Sequence, residues 1–134
     1  MGNYKILDHT ADLKMEFSGE NFEDFLNSCA EGLSNYLYER KGEKNSFTYK
    51  RTFDGTDKTE FIVSFLNELL YLMQQKRFIP SNILLKEEKG KYVVYFKGEK
   101  ASLKPLSEIK AATFHNLKIE EERNILKAEV TFDL

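Results

Sequence analysis

The chain has 134 residues, 41% of them hydrophobic and 31% charged, with a formal net charge of -2, one cysteine and no tryptophan. This length suits one domain that buries a core without metal or disulfide staples. The near-balanced charge excludes binding to nucleic acid through a global field; Cys29 has no partner for an internal disulfide, and no apolar run approaches a membrane span.

Tyr4 to Leu7 reads as a short strand, and Leu13, Met15 and Phe17 alternate with Lys14, Glu16 and Ser18 as in a half-buried strand. Gly19 ends it. A helix follows, with Asn21 as N-cap and Glu23 and Asp24 in the first turn, where the dipole favours anions. Phe22, Phe25, Leu26, Cys29, Ala30, Leu33, Tyr36 and Leu37 make its apolar face. Cys29 is expected in the core rather than as a reactive thiol.

Ser46 to Asp54 alternates again, with Phe47, Tyr49, Arg51 and Phe53 on one face. Arg40, Lys41, Lys44, Lys50 and Arg51, with aromatics between them, are either an RNA contact or a solvated face diluted by Glu39 and Glu43. Thr56 or Asp57 caps a second helix reaching about Lys76. Its apolar residues cover more than one stripe, so it is expected to be buried on two sides. Glu68 interrupts one row and is expected at the core edge or paired within it.

Asn82 to Glu88 and Lys91 to Lys97 form a predicted hairpin around Lys89-Gly90. Gly98-Glu99 is expected to open a loop through Pro105, of a length that is often functional. Ile109 to Ile119 is extended and carries Lys110 and His115. The last strand alternates from Leu126 to Leu134. The order of elements predicts a single α+β domain over residues 1–134, a mixed β-sheet with two helices packed on one face. With no signal-peptide pattern, a cytosolic, cytoplasmic protein is expected.

The connection Asp8-His9-Thr10-Ala11-Asp12 lacks the Gly, Asn or Pro usual between strands, and instead holds two carboxylates and one of two histidines. Asp8 or Thr10 capping a turn, with a structural His9, is one reading. The other joins it to the far end of the chain. If the last strand runs beside this connection, Asp12 and Asp133 converge with main-chain oxygens and the terminal carboxylate of Leu134. Such an all-oxygen set suits Ca²⁺, Mg²⁺ or Mn²⁺ better than zinc. Asp133 as the polar side of an exposed strand is the alternative.

The segment Asp8-His9-Thr10-Ala11-Asp12, with Phe65-Leu66-Asn67-Glu68-Leu69-Leu70-Tyr71, Gly98-Glu99, Ile109-Lys110-Ala111-Ala112-Thr113-Phe114-His115 and Phe132-Asp133-Leu134, resembles the archease family in content and order. The resemblance spans essentially the whole chain. It implies a small α+β protein that is a non-catalytic cofactor of the tRNA-splicing RNA ligase RtcB. Such a cofactor promotes guanylylation and multiple turnover, with RNA contacted only indirectly and no membrane involved. It implies a divalent metal (Ca, Mn or Mg) held by Asp12, Asp133 and Leu134, and a functional role for Lys110. His9 would orient Asp12 or be packed structure. Asp8 stands where relatives carry Glu, and His115 follows Phe114 where Tyr is frequent. Two other functions stay open: a general chaperone or modulator of nucleic-acid-processing enzymes, and a small metal-dependent hydrolase. The hydrolase lacks a nucleophile beside a base and a Gly-rich phosphate cradle.

Overall fold

Two antiparallel sheets face each other across a layer of two helices. The computed structural model describes every residue except Met1 and 9–11, and at the side-chain level also leaves out Asp8, His115 and Asn116. His9 therefore lies outside the described residues, as do the side chains of Asp8 and His115. Among the described residues the elements are β1 (Asn3–Asp8), β2 (Asp12–Gly19), α1 (Phe22–Tyr38), β3 (Phe47–Asp54), α2 (Lys58–Gln75), β4 (Phe78–Glu88), β5 (Lys91–Lys100), β6 (Ala111–Glu122) and β7 (Ile125–Asp133). The first sheet has the order β1-β2-β7-β6 and the second β3-β5-β4.

The expected α+β class is observed, with helices on one face of each sheet. The expected single mixed sheet is instead two sheets in which every neighbouring pair is antiparallel. Alternation along a strand reports which face is buried, not which strand lies next to it. Here β5 inserts between β3 and β4, so the two strands joined through α2 never pair directly.

Burial between sheets explains the apolar residues of both helices. In α2, Phe61, Ile62, Val63, Phe65, Leu66, Leu69, Leu70, Leu72 and Met73 are all buried, more than one stripe could hold. α2 packs on β6 of one sheet and on β3 and β4 of the other; α1 packs on β1, β2 and β4. Phe65 stacks on Phe96 with centroids 5.4 Å apart, and each fully buried large side chain contributes about 1.5–3 kcal/mol. Cys29 is fully buried, and burial pushes its thiol well up, as expected of a core cysteine. Both N-caps are made by the anticipated residue types. Asn21 Oδ1 accepts from Asp24 N–H at 2.8 Å, and Asp57 Oδ1 from Thr59 and Glu60 N–H at 2.9 and 3.3 Å.

Lys89 and Gly90, at φ of 50° and 76°, form the two-residue turn of the predicted hairpin. The first strand of that hairpin starts earlier than expected, at Phe78, and Pro80 sits inside it at a register shift. A proline lacks the ladder N–H and is tolerated at such an irregularity. The basic cluster around β3 is divided. Arg51 turns to the helix side, where its Nε donates to Glu68 at 2.9 Å. Lys50 faces out beside Tyr95, its Nζ 5.8 Å from the ring centroid. Glu68 is thus paired at the core edge.

Gly98 and Glu99 do not open a loop, because β5 runs on to Lys100. A Cβ at Gly98 would meet the carbonyl oxygen of Ile79 and lie 2.8 Å from the Phe78 ring, so the close approach of β4 requires glycine. Glu99 accepts from the backbone N–H groups of Glu43 and Lys44 at 2.7 and 2.9 Å and from Arg40 at 3.1 Å. The Glu43 N–H, with Lys44 and Arg40, holds its carboxyl below the usual range against an opposing burial penalty. A depressed carboxyl stabilises the fold above its unfolded-state pKa, and that contribution is lost as pH falls through the folded-state value. Glu99→Ala is expected to cost about 1 kcal/mol at neutral pH, because its bonds are solvent-exposed and screened. In urea titrations its deficit against wild type should shrink in acid; an equal deficit at both pH values would contradict this account.

Candidate functional site

β2 and β7 bring the two ends of the chain together. In their antiparallel register Asp12 is the partner of Asp133, followed by Leu13 with Phe132 and Lys14 with Thr131. The parity of that register follows from the alternation: Leu13, Met15 and Phe17 must face the helices, and so must Leu126, Ala128, Val130 and Phe132. Asp12 and Asp133 are thereby forced onto the opposite, solvent-facing side, where both are exposed. Directly opposed residues have Cβ atoms about 4.5–5.5 Å apart, a span that one hydrated or directly bound cation bridges. The half-buried Lys14 lies one pair further along this face, with Asp8 as its backbone partner on β1.

The last residue is anchored as well. Leu134 is partly buried against the core, and the Asp133 carbonyl accepts the Lys110 N–H at 2.8 Å. Ala111 is the register partner of Asp133 on the other side. Asp12, Asp133, Leu134 and the Lys110 backbone therefore meet at one end of the first sheet. Two side-chain carboxylates, Asp12 and Asp133, are the described acidic groups there. Among the described residues no group of three or more His, Cys, Asp or Glu is placed to hold a metal ion. Further oxygens at this end, among the described residues, are those of the main chain. An all-oxygen set of this kind fits a hard divalent cation.

Two amide side chains of α2 hold the segment that carries Lys110 and leads into β6. Asn67 Oδ1 accepts from Ala112 N–H at 2.8 Å while its Nδ2 donates to Ala112 carbonyl at 3.2 Å. Gln74 repeats the pattern at Ile109, accepting at 2.8 Å and donating at 2.8 Å. Each amide takes the place of a neighbouring peptide, Asn67 at Ala112 on the edge strand β6 and Gln74 at Ile109 just before it. Asn27 of α1 does the same for Ile83 on β4, the edge of the second sheet. Lys110 thus lies between two clamped residues. The sequence reading missed this pair. Its signal was present: Asn67 and Gln74 are polar positions on a helix otherwise buried on several sides.

The sequence profile of the Archease protein family (MTH1598/TM1083) matches residues 4–134. The chain belongs to the archease family. An archease of Methanosarcina barkeri is 32% identical over 141 aligned residues, covering 98% of this chain and 95% of that protein. The crystal structure of a Thermotoga maritima archease, described as a possible chaperone, superposes with a TM-score of 0.68 at 26% identity, covering 97% and 96% of the two chains. The solution structure of a Methanobacterium thermoautotrophicum protein shares the fold at a TM-score of 0.74 and 20% identity, over 98% and 99%. Family membership accounts for the co-occurrence of the sequence blocks. The Asn67 segment clamps the Lys110 segment, and the Lys110 segment meets the Asp133 terminus. No helix among the described residues is long and apolar enough to cross a membrane.

Proposed function

We propose that this chain is a non-catalytic activator of an RtcB-type RNA ligase in the cytoplasm, and that it works through a divalent-cation site at Asp12, Asp133 and Leu134. The observation that carries the reading is the register pairing of Asp12 with Asp133 beside the anchored terminal residue. It supports a site whose donors are all oxygen, suited to Ca²⁺, Mg²⁺ or Mn²⁺. Membership of the archease family supports the choice of partner.

When bound, the cation would supply positive charge for phosphoryl groups during guanylylation of the ligase. The chain's own residues do the rest. Asp12 and Asp133 present carboxylates at an exposed sheet end, where a partner's active site can approach them. Asn67 and Gln74 hold Lys110 in place through the flanking backbone, and Lys110 offers an ammonium to an anion brought to the same end. His9 belongs to this proposal as the residue that orients Asp12 through a hydrogen bond, and Asp8 as its neighbour without a ligand role.

The test is ligase turnover with GTP, divalent metal and cleaved RNA, the ligase being far below its substrate. Wild type is expected to give many turnovers. Asp12→Ala and Asp133→Ala are expected to give few while remaining folded, as is a form with residues added after Leu134. Full activation by both Ala variants would remove the metal site from the function. No activation by wild type with a ligase from the same source would favour the general-chaperone reading.

A further inference from the structure

Beside the candidate site, on the far side of Lys110, a groove of about 1030 Å³ runs between the last turns of α2 and the 101–110 loop. The loop is tied down rather than free. Leu106 N–H donates to Leu37 carbonyl at 2.7 Å, and Ala101 N–H to Arg77 carbonyl at 2.7 Å. Yet Leu106 in the groove is 60% exposed, Leu103 of the same loop, outside the groove lining, is 75% exposed, and Tyr71 on the facing helix is 45% exposed. Held backbone with outward-facing leucines leaves apolar area in water that a partner would cover.

The polar lining has a sign. Arg77, Lys104 and Lys110 border the groove against one carboxylate, Glu108. Among the described residues none of these three cations has an ion pair. This local excess sits on a chain whose formal net charge is -2. The combination of cations with exposed leucines selects a partner that is both acidic and apolar. A nucleotide held by these cations would bring no aliphatic group to Leu106.

We propose that the groove is a docking cleft for an extended, acidic, leucine-bearing segment of a partner protein. The identity of that partner as the RNA ligase rests on the function proposed above; the chemistry of the cleft does not. Docking here places the partner directly against the Asp12–Asp133 end, because Lys110 belongs to both the groove and the candidate site.

The probe is a fluorescein-labelled, glutamate-rich peptide carrying two leucines, followed by anisotropy, with a lysine-rich counterpart as control. Wild type is expected to bind the acidic peptide saturably and the basic one weakly. Lys104→Glu combined with Leu106→Ser is expected to weaken acidic-peptide binding by about tenfold or more; both positions are exposed, and circular dichroism checks the fold. No saturable binding, or equal binding by the variant, overturns the proposal. A nucleoside triphosphate bound in a Lys104-dependent way, with the peptide unbound, also overturns it. In the ligase assay the same variant is expected to need about tenfold more protein for half-maximal turnover while reaching the same maximum, whereas Asp133→Ala lowers the maximum. Failure of wild type to activate the ligase would remove the proposed function and leave the peptide result to decide the cleft.

Discussion

Asp133→Asn is expected to make the cation-free protein more stable while abolishing its response to divalent cations. Asp12 and Asp133 are direct partners on adjacent strands, and like charges so placed are destabilising by roughly 0.2–1 kcal/mol. Neutralising one of them relieves that repulsion. Asparagine keeps the shape and one acceptor oxygen, so the pairing of β2 with β7 is retained. If the pair holds a cation, binding to the folded form alone stabilises wild type, by about 2.7 kcal/mol at a hundredfold excess over Kd. The variant would lose most of that gain. Thermal melts in chelator and then in millimolar Ca²⁺ or Mn²⁺ test both parts. Wild type should rise with cation, and the variant should start higher and stay level. An equal rise in both proteins would show that the cation acts elsewhere. A variant less stable than wild type in chelator would show that Asp133 makes a favourable contact the register does not reveal.

Asn67→Leu is expected to have the largest effect on the fold and to impair activation from a distance. Its amide makes two bonds to Ala112, one donated and one accepted. Leucine has the same branched skeleton and cannot make either bond, leaving a partly buried N–H and C=O without partners. Each unsatisfied group costs about 1–3 kcal/mol, so a loss of roughly 2–6 kcal/mol is expected in urea denaturation. Asn67→Asp separates the two bonds: it can still accept from Ala112 N–H but cannot donate to the carbonyl, and should fall between. The functional consequence follows from geometry. Ala112 is two residues from Lys110, whose N–H binds the Asp133 carbonyl. Loosening one clamp should lower ligase activation even at a temperature where the variant is fully folded. Activation unchanged under that condition would confine Asn67 to stability. Hydrogen exchange at Lys110 and Ala112 amides offers an independent readout, with faster exchange expected in the variant.

The arrangement of the candidate site explains why part of it was legible and part was not. Asp12 and Asp133 could each be placed on an exposed face because β2 and β7 both alternate, so fixing the buried face fixes the exposed one; their convergence is conditional on neighbouring strands, and the family resemblance is what carries it. What alternation cannot supply is the neighbour: β2 could have paired with any strand of matching pattern. The clamps illustrate the same limit. Asn67, Gln74 and Asn27 read as polar positions within helices, and only the docking of each helix against a sheet edge reveals that each binds both backbone groups of one residue. Glu99 was placed in a loop because Gly98 precedes it, yet that glycine serves close packing against β4 within a strand.

Local chemistry in the sequence determined the helices, their caps, the Lys89-Gly90 hairpin, the burial of Cys29 and the exposed carboxylates near both ends. These follow from periodicity, capping and turn geometry, which act over a few residues. The division into two antiparallel sheets, the insertion of β5 between β3 and β4, the edge clamps and the groove beside Lys110 were decided by tertiary structure. They depend on which distant surfaces bury each other, and many strand pairings satisfy the same local pattern until packing selects one.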